Sequence, residues 1–379
     1  MPRTRLCENQ TLHTQSNFRL LIVRLGAMGD ILHALPAVTA LRLAHPDWQI
    51  GWVVEPRWQP LLKAGDRDQG SGINGDRSAA ATIHDSAMPV VNRLHFAPSR
   101  EWKRHPLSAD TRRAIGAMRR ELRAAEYSAV LDLQGAIRSA VISRMSGCVR
   151  RIGEASPREW PAQWLFTERV VTHGAHVIEQ DVELASAVAG DALSAVDVQL
   201  PIDPGAEAWC AEWLASTLPG AARPIALITP GAGWGAKRWP PERYAAVAEG
   251  LAQRGLHVVV NVGPGEEPLA ATIASVGAVP LTATLPQLIA LTRRIALCIG
   301  GDTGPLHLAS ALGRRVVGIY GPTDPSRNGP YGTRARVLRS PDSRRDHSRR
   351  SAPDPGLLTI APDDVLRAAD ELLAEVSAR

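Results

Sequence analysis

Cysteine is scarce and unpaired in this sequence. Four residues, Cys7, Cys148, Cys210 and Cys298, are scattered over 379 positions without a CxxC pair. That argues against a disulfide framework or a zinc knuckle and for buried free thiols in a reducing compartment. No run of about 18 apolar residues is available to cross a bilayer, and the opening MPRTRLCENQTLHTQSNF lacks the continuous apolar segment of a secretory signal. A cytoplasmic protein is the expectation, with charge-assisted contact at a membrane surface left open. Phosphate-loop fingerprints are missing too: LGAMGD has too few glycines for GxGxxG, and no GK[ST] follows it. The chain's one DxD, Asp66-Arg67-Asp68, stands in an irregular stretch with no strand leading into it. Since Mg²⁺ needs oriented carboxylates or substrate phosphates, neither a metal nor a cofactor is expected.

What is present points to a two-domain α/β protein. At 379 residues, 45% hydrophobic and 21% charged, the chain exceeds one ordinary core. Lys plus Arg exceed Asp plus Glu, 43 to 38, and the sequence pI is near 9.3. This favours an anionic partner such as a nucleotide, nucleic acid or acidic membrane face. Much of the excess lies in one Arg-rich tract, so charge alone selects none of these.

Short apolar runs alternate with longer amphipathic segments. FRLLIVRLG, QIGWVVE and SAVLDLQG read as strands, and DILHALPAVTALRLAH and TRRAIGAMRRELRAAEY as helices. A second series follows residue 200: the strands PIALITPGAG, LHVVVNVGPG, ALCIGGDTG and RVVGIYGPT alternate with the helices PPERYAAVAEGLAQRG, LPQLIALTRRI and PLHLASALG. Such order is the mark of parallel sheets covered by helices on both faces. VDVQLPIDPGAEAW suits a linker, placing one domain at 1–196 and another at 197–360, with APDDVLRAADELLAEV in 361–379 a terminal helix packing across them. Ala64 to Val90 and Arg339 to Gly356 read as mobile loops.

Three turns in the second half could hold an anion. In GGDTGPLHLASALG the glycines let backbone approach a ligand, Thr303 adds a hydroxyl, and His307 falls in the first turn of a helix whose N-terminus favours negative charge. A capped tight turn without a ligand is the alternative. In TPGAGWGAKRWPPERY, Lys237 stands between two tryptophans and could neutralise a diphosphate; a solvated Lys-Arg pair before a helix fits equally well. VGPGEEP puts Glu266 after a strand, where a carboxylate accepts from ribose hydroxyls, or is simply an acidic first turn. In the first half, the spacing of LIVRLGAMGDILHALPAV makes Asp30 a helix cap; facing a cleft, it could take a proton from a hydroxyl. Trp160 and Trp164, in SPREWPAQW, are expected in the core, with an acceptor groove as the alternative.

The ordered set LIVRLGAMGDILHALPAV, LDLQGAIRSA, PREWPAQWLF with HVIEQ, PGAGWGAKRWPPERY, LPQLIALTRRIALCIGGDTGPLHLASALG and YGPTDP resembles the ADP-heptose:lipopolysaccharide heptosyltransferases, glycosyltransferase family 9, from Phe18 to about Tyr331. The resemblance implies a GT-B fold, two Rossmann-like doubly wound parallel-sheet domains facing a cleft, acceptor on the first and nucleotide-sugar on the second. It implies an inverting, metal-independent transfer from ADP-heptose to a Kdo-lipid A type acceptor, with Asp30 as general base and Lys237 assisting the leaving group. Donor-binding positions would be Thr229, Lys237, Glu266, Asp302, Thr303, Gly304 and His307, and acceptor-binding positions Arg24, Gly29, Arg138 and Arg158. Gly26 and Gly29 would let the acceptor approach the backbone. The partners implied are a nucleotide-sugar, a lipid-linked saccharide and the cytoplasmic face of the inner membrane, not nucleic acid. A GT-B transferase using another nucleotide-sugar, a nucleotide-sugar epimerase, and a non-enzymatic nucleotide-binding module are the competing readings. The tract SPDSRRDHSRR departs from the clustered cysteines that many members carry there.

Overall fold

Apolar runs become strands here because both faces of each sheet are covered. In the computed structural model, which describes residues 17–62, 89–218, 223–346 and 350–375, the first unit runs β1 (Arg19–Val23), α1 (Met28–Ala44), β2 (Gln49–Val54), β3 (Arg93–Phe96), α2 (Ser99–Arg104), α3 (Ala109–Ala124), β4 (Ala129–Asp132), α4 (Ile137–Met145), β5 (Arg151–Glu154), β6 (Glu168–Val170) and α5 (Val177–Ala189). After a crossover, the second runs α6 (Pro204–Thr217), β7 (Ile225–Thr229), α7 (Pro241–Gln253), β8 (His257–Asn261), α8 (Glu267–Ala274), β9 (Val279–Leu281), α9 (Leu285–Thr292), β10 (Leu297–Gly301), α10 (Gly304–Ala311), β11 (Arg315–Tyr320), α11 (Pro325–Asn328), β12 (Ala335–Arg339) and α12 (Pro362–Ala374). The expected loop from Ala64 lies outside the described residues up to position 88, as do Asp66, Asp68 and Cys7. The other three cysteines are buried free thiols.

Each unit holds a six-stranded parallel sheet, in the orders β3-β2-β1-β4-β5-β6 and β12-β11-β10-β7-β8-β9. Both are the doubly wound order. Each reverses direction beside its first strand, between β1 and β4 and between β7 and β10, and the crevice at that reversal is where such sheets accept ligands. The period-two alternation of strand side chains sorts the core. In β1, Leu20 and Ile22 face the side covered by α1 and α5, while Leu21 and Val23 face α3 and α4 through Met118, Leu122 and Ile142. In the second sheet, Ile228, Val260 and Ile299 pack under α7, α8 and α12, whereas Leu227, Val259 and Cys298 join the same apolar cluster as Leu20 and Ile22. One continuous core therefore runs from sheet to sheet.

Local sequence explains the boundaries. Asp203 caps α6 by accepting from the Ala206 N–H at 2.9 Å, so the expected linker ends at residue 203 and the rest of it is helix. Asp30 is not the cap of α1 but its third residue: Ala27 takes the cap position, and Asp30 Oδ2 accepts the Ala27 N–H at 2.8 Å. The terminal helix α12, expected across both domains, makes its main contacts with α7, β11 and β12, Leu366 filling the space over Gly250.

Two expectations need correction. Trp160 and Trp164 are not core: they are 60% and 68% exposed and stack edge to face with ring centres 4.6 Å apart. The stretch after Arg339 is not a free loop in its described parts. The Ala236 N–H donates to the Arg350 carbonyl at 3.0 Å, the Asp354 N–H donates to the Ala236 carbonyl at 3.1 Å, and Asp354 is 1% exposed, so the chain is laced onto the turn that carries Lys237.

A buried carboxylate makes the first unit pH-sensitive. Asp181 of α5 is 3% exposed, its Oδ2 has no hydrogen-bond partner among the described residues, and burial pushes its carboxyl up to about 7 against the attraction of Arg24. Between the ordinary value and 7 the folded state holds a proton that the unfolded chain releases, so stability falls as pH rises through that window. Asp181→Asn is expected to gain stability over the parent protein as pH rises from 5 to 8, by on the order of 3 kcal/mol. Denaturant unfolding at the two pH values measures this, and an equal difference at both refutes it.

Candidate active site

The two sheet reversals are brought together by one helix contact. α1 leaves the carboxyl end of β1 and α10 leaves the carboxyl end of β10, and their first turns abut. A Cβ on Gly29 would lie 2.7 Å from His307 Cδ2, and one on Gly304 would lie 2.8 Å from the Met28 sulfur. Both glycines are there because the opposite helix occupies the space a side chain would need. This corrects the expectation for Gly29: the space over its Cα is filled by the His307 ring and not left for an acceptor. Gly26, at φ +141°, is likewise covered, by Trp58.

On the first side the chain holds a carboxylate beside a guanidinium. Arg24 Nη2 lies 3.4 Å from Asp30 Oδ1, with Arg24 buried and the Asp30 side chain 36% exposed. The loop between them is pinned by hydrogen bonds from Trp52 Nε1 to the Arg24 carbonyl and from the Leu25 N–H to Gln134 Oε1, 2.9 and 2.8 Å. At the neighbouring reversal strand, Asp132 accepts from the Gln134 and Gly135 N–H groups and from Ser139 Oγ; burial still pushes its carboxyl up to about 6. Through Oδ1 that carboxylate closes the turn into α4, while Oδ2 has only the Ser143 hydroxyl at 3.4 Å. Arg138 donates to Ser99 Oγ at 2.6 Å, and Ser99 in turn donates to the buried Glu55. Arg158 is exposed beside the Gly135 turn.

On the second side three residues interlock. Asp302 pairs with Lys237 through Oδ2 and accepts from His307 Nε2 at 2.9 Å through Oδ1. Burial works to raise Asp302, but the hydrogen bond and charge of His307, and then Lys237, outweigh it and hold the carboxyl well below the usual range. Lys237 is fixed further by the Trp234 ring, 4.1 Å below its ammonium. Thr303 caps α10, and its Oγ1 is buried without a partner among the described residues, next to first-turn N–H groups that no helix carbonyl can reach. Lys237, the Thr303 hydroxyl, Gly304 at the helix start and His307 therefore converge on an anion-favouring corner. Glu266 bends over the adjacent turn, accepting the Gly263 N–H at 2.9 Å and occupying the space over Gly231. Thr229 is placed otherwise than expected. It is 2% exposed, its hydroxyl reaches the Ile299 carbonyl at 3.5 Å, and its side chain covers Gly300, so it packs the sheet and does not line the cleft.

Sequence reasoning missed the histidines that bridge the units. His33, one turn beyond Asp30 on α1, is hydrogen-bonded through Nε2 to His307 Nδ1 at 3.2 Å, and burial, then His307 and His176, keep it well below its ordinary value and so neutral. His176 caps α5 through Nδ1 and reaches the Gly329 carbonyl from Nε2 at 3.0 Å. The signals in the sequence were a polar ring at an apolar helix position in ILHALP and a histidine just before a helix in AHVIEQ.

A model of glycosyltransferase family 9 (heptosyltransferase) matches residues 115–355, well over half of the chain. The chain belongs to this family. Among its relatives, lipopolysaccharide heptosyltransferase 1 of Pseudomonas aeruginosa is 28% identical over 83% of this chain and 81% of its own length, and that of Escherichia coli K12 is 28% identical over 85% and 94%. Of solved structures, the E. coli heptosyltransferase WaaC with ADP-2-deoxy-2-fluoro heptose superposes with a TM-score of 0.69 at 25% identity over 93% of this chain and 99% of that one. WaaC with ADP gives 0.70 at 26% over 94% and 100%. The fold is accordingly GT-B, and the protein is a glycosyltransferase.

In this glycosyltransferase, Gly29→Ala must displace the His307 ring, an overpacking that is expected to cost about 1–3 kcal/mol. Gly233→Ala, where nothing lies within 4 Å of the added methyl, is the matched control. Thermal unfolding of both variants is the measurement, and equal melting temperatures would remove Gly29 from the helix contact.

Proposed function

We propose that this glycosyltransferase moves a heptose from ADP-heptose to a hydroxyl of the lipopolysaccharide inner core, in one inverting displacement that needs no metal. The observation that carries the reading is the partly exposed Asp30 carboxylate at the start of α1, set where that helix abuts the Lys237–Asp302–His307 cluster of the second unit. In this reading, Asp30 takes the proton of the acceptor hydroxyl as that oxygen bonds to the anomeric carbon. The bond from that carbon to the diphosphate breaks, and ADP leaves from the opposite face. A base and a leaving group on opposite sides of one carbon require two separate surfaces, and facing sheets supply them without a covalent intermediate.

Lys237, the Thr303 hydroxyl and the N–H groups at the start of α10 would receive the charge that builds on the leaving diphosphate, with His307, bonded to Asp302 and His33, holding the cluster in place. They are oriented before the reaction by Asp302, which is the condition for electrostatic stabilisation to act on the barrier. Glu266, over the Gly231 and Gly263 turns, would accept from the ribose. Arg24 orients Asp30, while Arg138 and Arg158 would meet the anionic groups of a Kdo-lipid A type acceptor. Residues 1–196 would then bind the acceptor and 197–360 the nucleotide-sugar. Support for the donor and acceptor comes from the heptosyltransferases that this chain resembles, WaaC with its ADP-heptose analogue among them. A peripheral place at the cytoplasmic face of the inner membrane follows from a lipid-linked acceptor; no helix among the described residues is long and apolar enough to cross a membrane.

Asp30→Asn is expected to lower kcat by about a thousandfold, the scale of a lost general base, while ADP still raises the melting temperature as it does for the parent protein. The same assay run in EDTA should keep its rate. Loss of ADP stabilisation in Asp30→Asn would move that residue to the nucleotide site, and a rate abolished by EDTA and restored by Mg²⁺ would end the metal-free mechanism. The donor is tested separately by thermal shift with ADP-heptose, ADP and UDP-sugars, where ADP-heptose is expected to stabilise most. A larger shift with a UDP-sugar would sink the heptose reading.

A further inference from the structure

The exposed tryptophans belong to an apolar face that the fold leaves uncovered, beside Arg138 and Arg158 of the proposed acceptor side. Trp160 and Trp164 stand on the short 3₁₀ turn Trp160–Leu165, and Ile137 and Val141, each 44% exposed, lie one turn apart on α4. The two elements are one rigid surface. Ala140 packs with Ala162 and Phe166 beneath it, and the Ile137 N–H donates to Glu159 Oε2 at 2.8 Å. Four large apolar side chains on one small face are more than isolated exposed hydrophobics require.

Cations surround this face. Arg138 and Arg144 flank the apolar pair on α4, Arg158 precedes the tryptophans, and all three are exposed. The bond from Arg138 to Ser99 sets the start of α2 alongside, with Arg100, Lys103 and Arg104 exposed on it. Glu159 and Glu101 are the carboxylates within these segments, against six cations. Aromatic rings with a polar edge, ringed by Arg and Lys, suit the boundary between headgroups and acyl chains of an anionic bilayer. A second copy of the same face would instead set arginine against arginine, so charge favours a lipid surface over self-association.

We propose that the face made by α4 and the Trp160–Leu165 turn is the surface on which the protein lies against an anionic phospholipid bilayer. The tryptophans enter the headgroup boundary, and Arg144 with Arg100, Lys103 and Arg104 meets lipid phosphates, while Arg138 and Arg158 stay with the acceptor. The turn into α4 leaves the carboxyl edge of the first sheet, the edge that carries Arg24 and Asp30. Docking there turns the acceptor side of the cleft toward the membrane in which a lipid-linked saccharide would be anchored. The inference deepens the reading that the acceptor is lipid-linked, but vesicle binding is measured without sugar transfer, so either can fail alone.

The test is flotation of the full chain with phosphatidylcholine vesicles, with and without about one third phosphatidylglycerol, in low and high salt. The parent protein is expected to float with the anionic vesicles and to be released by salt. Trp160→Glu with Trp164→Glu is expected to weaken binding on the order of tenfold, with unchanged thermal stabilisation by ADP showing that the fold persists. Should that variant fail to fold, quenching of the parent protein's tryptophan fluorescence by brominated phosphatidylglycerol vesicles decides the matter. Absence of binding or quenching, binding unchanged by the double substitution, or a dimer that the substitution dissociates while vesicle binding stays the same would each overturn the proposal.

Discussion

The contact between the first turns of α1 and α10 is the constraint on which the site depends. Two glycines, Gly29 and Gly304, remove the side chains that would hold those helices apart, and His307 and Met28 fill the space. Because each helix starts at the reversal point of its own sheet, this one approach brings both ligand crevices to a common seam. The His33–His307 hydrogen bond joins them across it, and the shared apolar cluster runs beneath. Without that approach, the Arg24–Asp30 pair and the Lys237–Asp302–His307 cluster would lie on separate surfaces.

Electrostatics at the seam follow from burial. Asp302 sits among apolar strands where a lone carboxylate would take up a proton, yet His307 and Lys237 keep it charged. That charge in turn fixes the direction of the only lysine in the cleft turn. The neutral His33 fits the same logic, since a cation beside His307 and Arg24 would be repelled from both. The laced segment around Arg350 and Asp354 holds the Lys237 turn from behind, so its orientation does not rest on one ion pair.

Much of this was legible in the chain. The central strands announced themselves because a strand covered on both faces must be apolar over nearly its whole length, as LLIV of β1 and LCIGG are. The strands β3, β5, β6, β9 and β12 did not. RLHF, RIGE, ERV, VPL and ARVLR are three to five residues long, too short for a period to show, and several carry charged residues, as strands at or near a sheet edge do. Lys237, Asp302 and His307 were found as candidates from their turns, but that they bind one another was not, since 65 residues separate the first two. Thr229 and Gly29 were misread because a strand-end threonine and a turn glycine look the same whether they face a ligand or a neighbouring element.

The sequence by itself determined the alternating αβ order, the two units, and the turns that carry charge, because those depend on local periodicity and on the conformations that Gly, Pro and Asp permit. Tertiary structure alone decided which turns meet, which glycines make room for a helix and which tryptophans stay outside. Packing across distant segments sets those outcomes: a residue's surroundings are supplied by chain that its own neighbours do not encode.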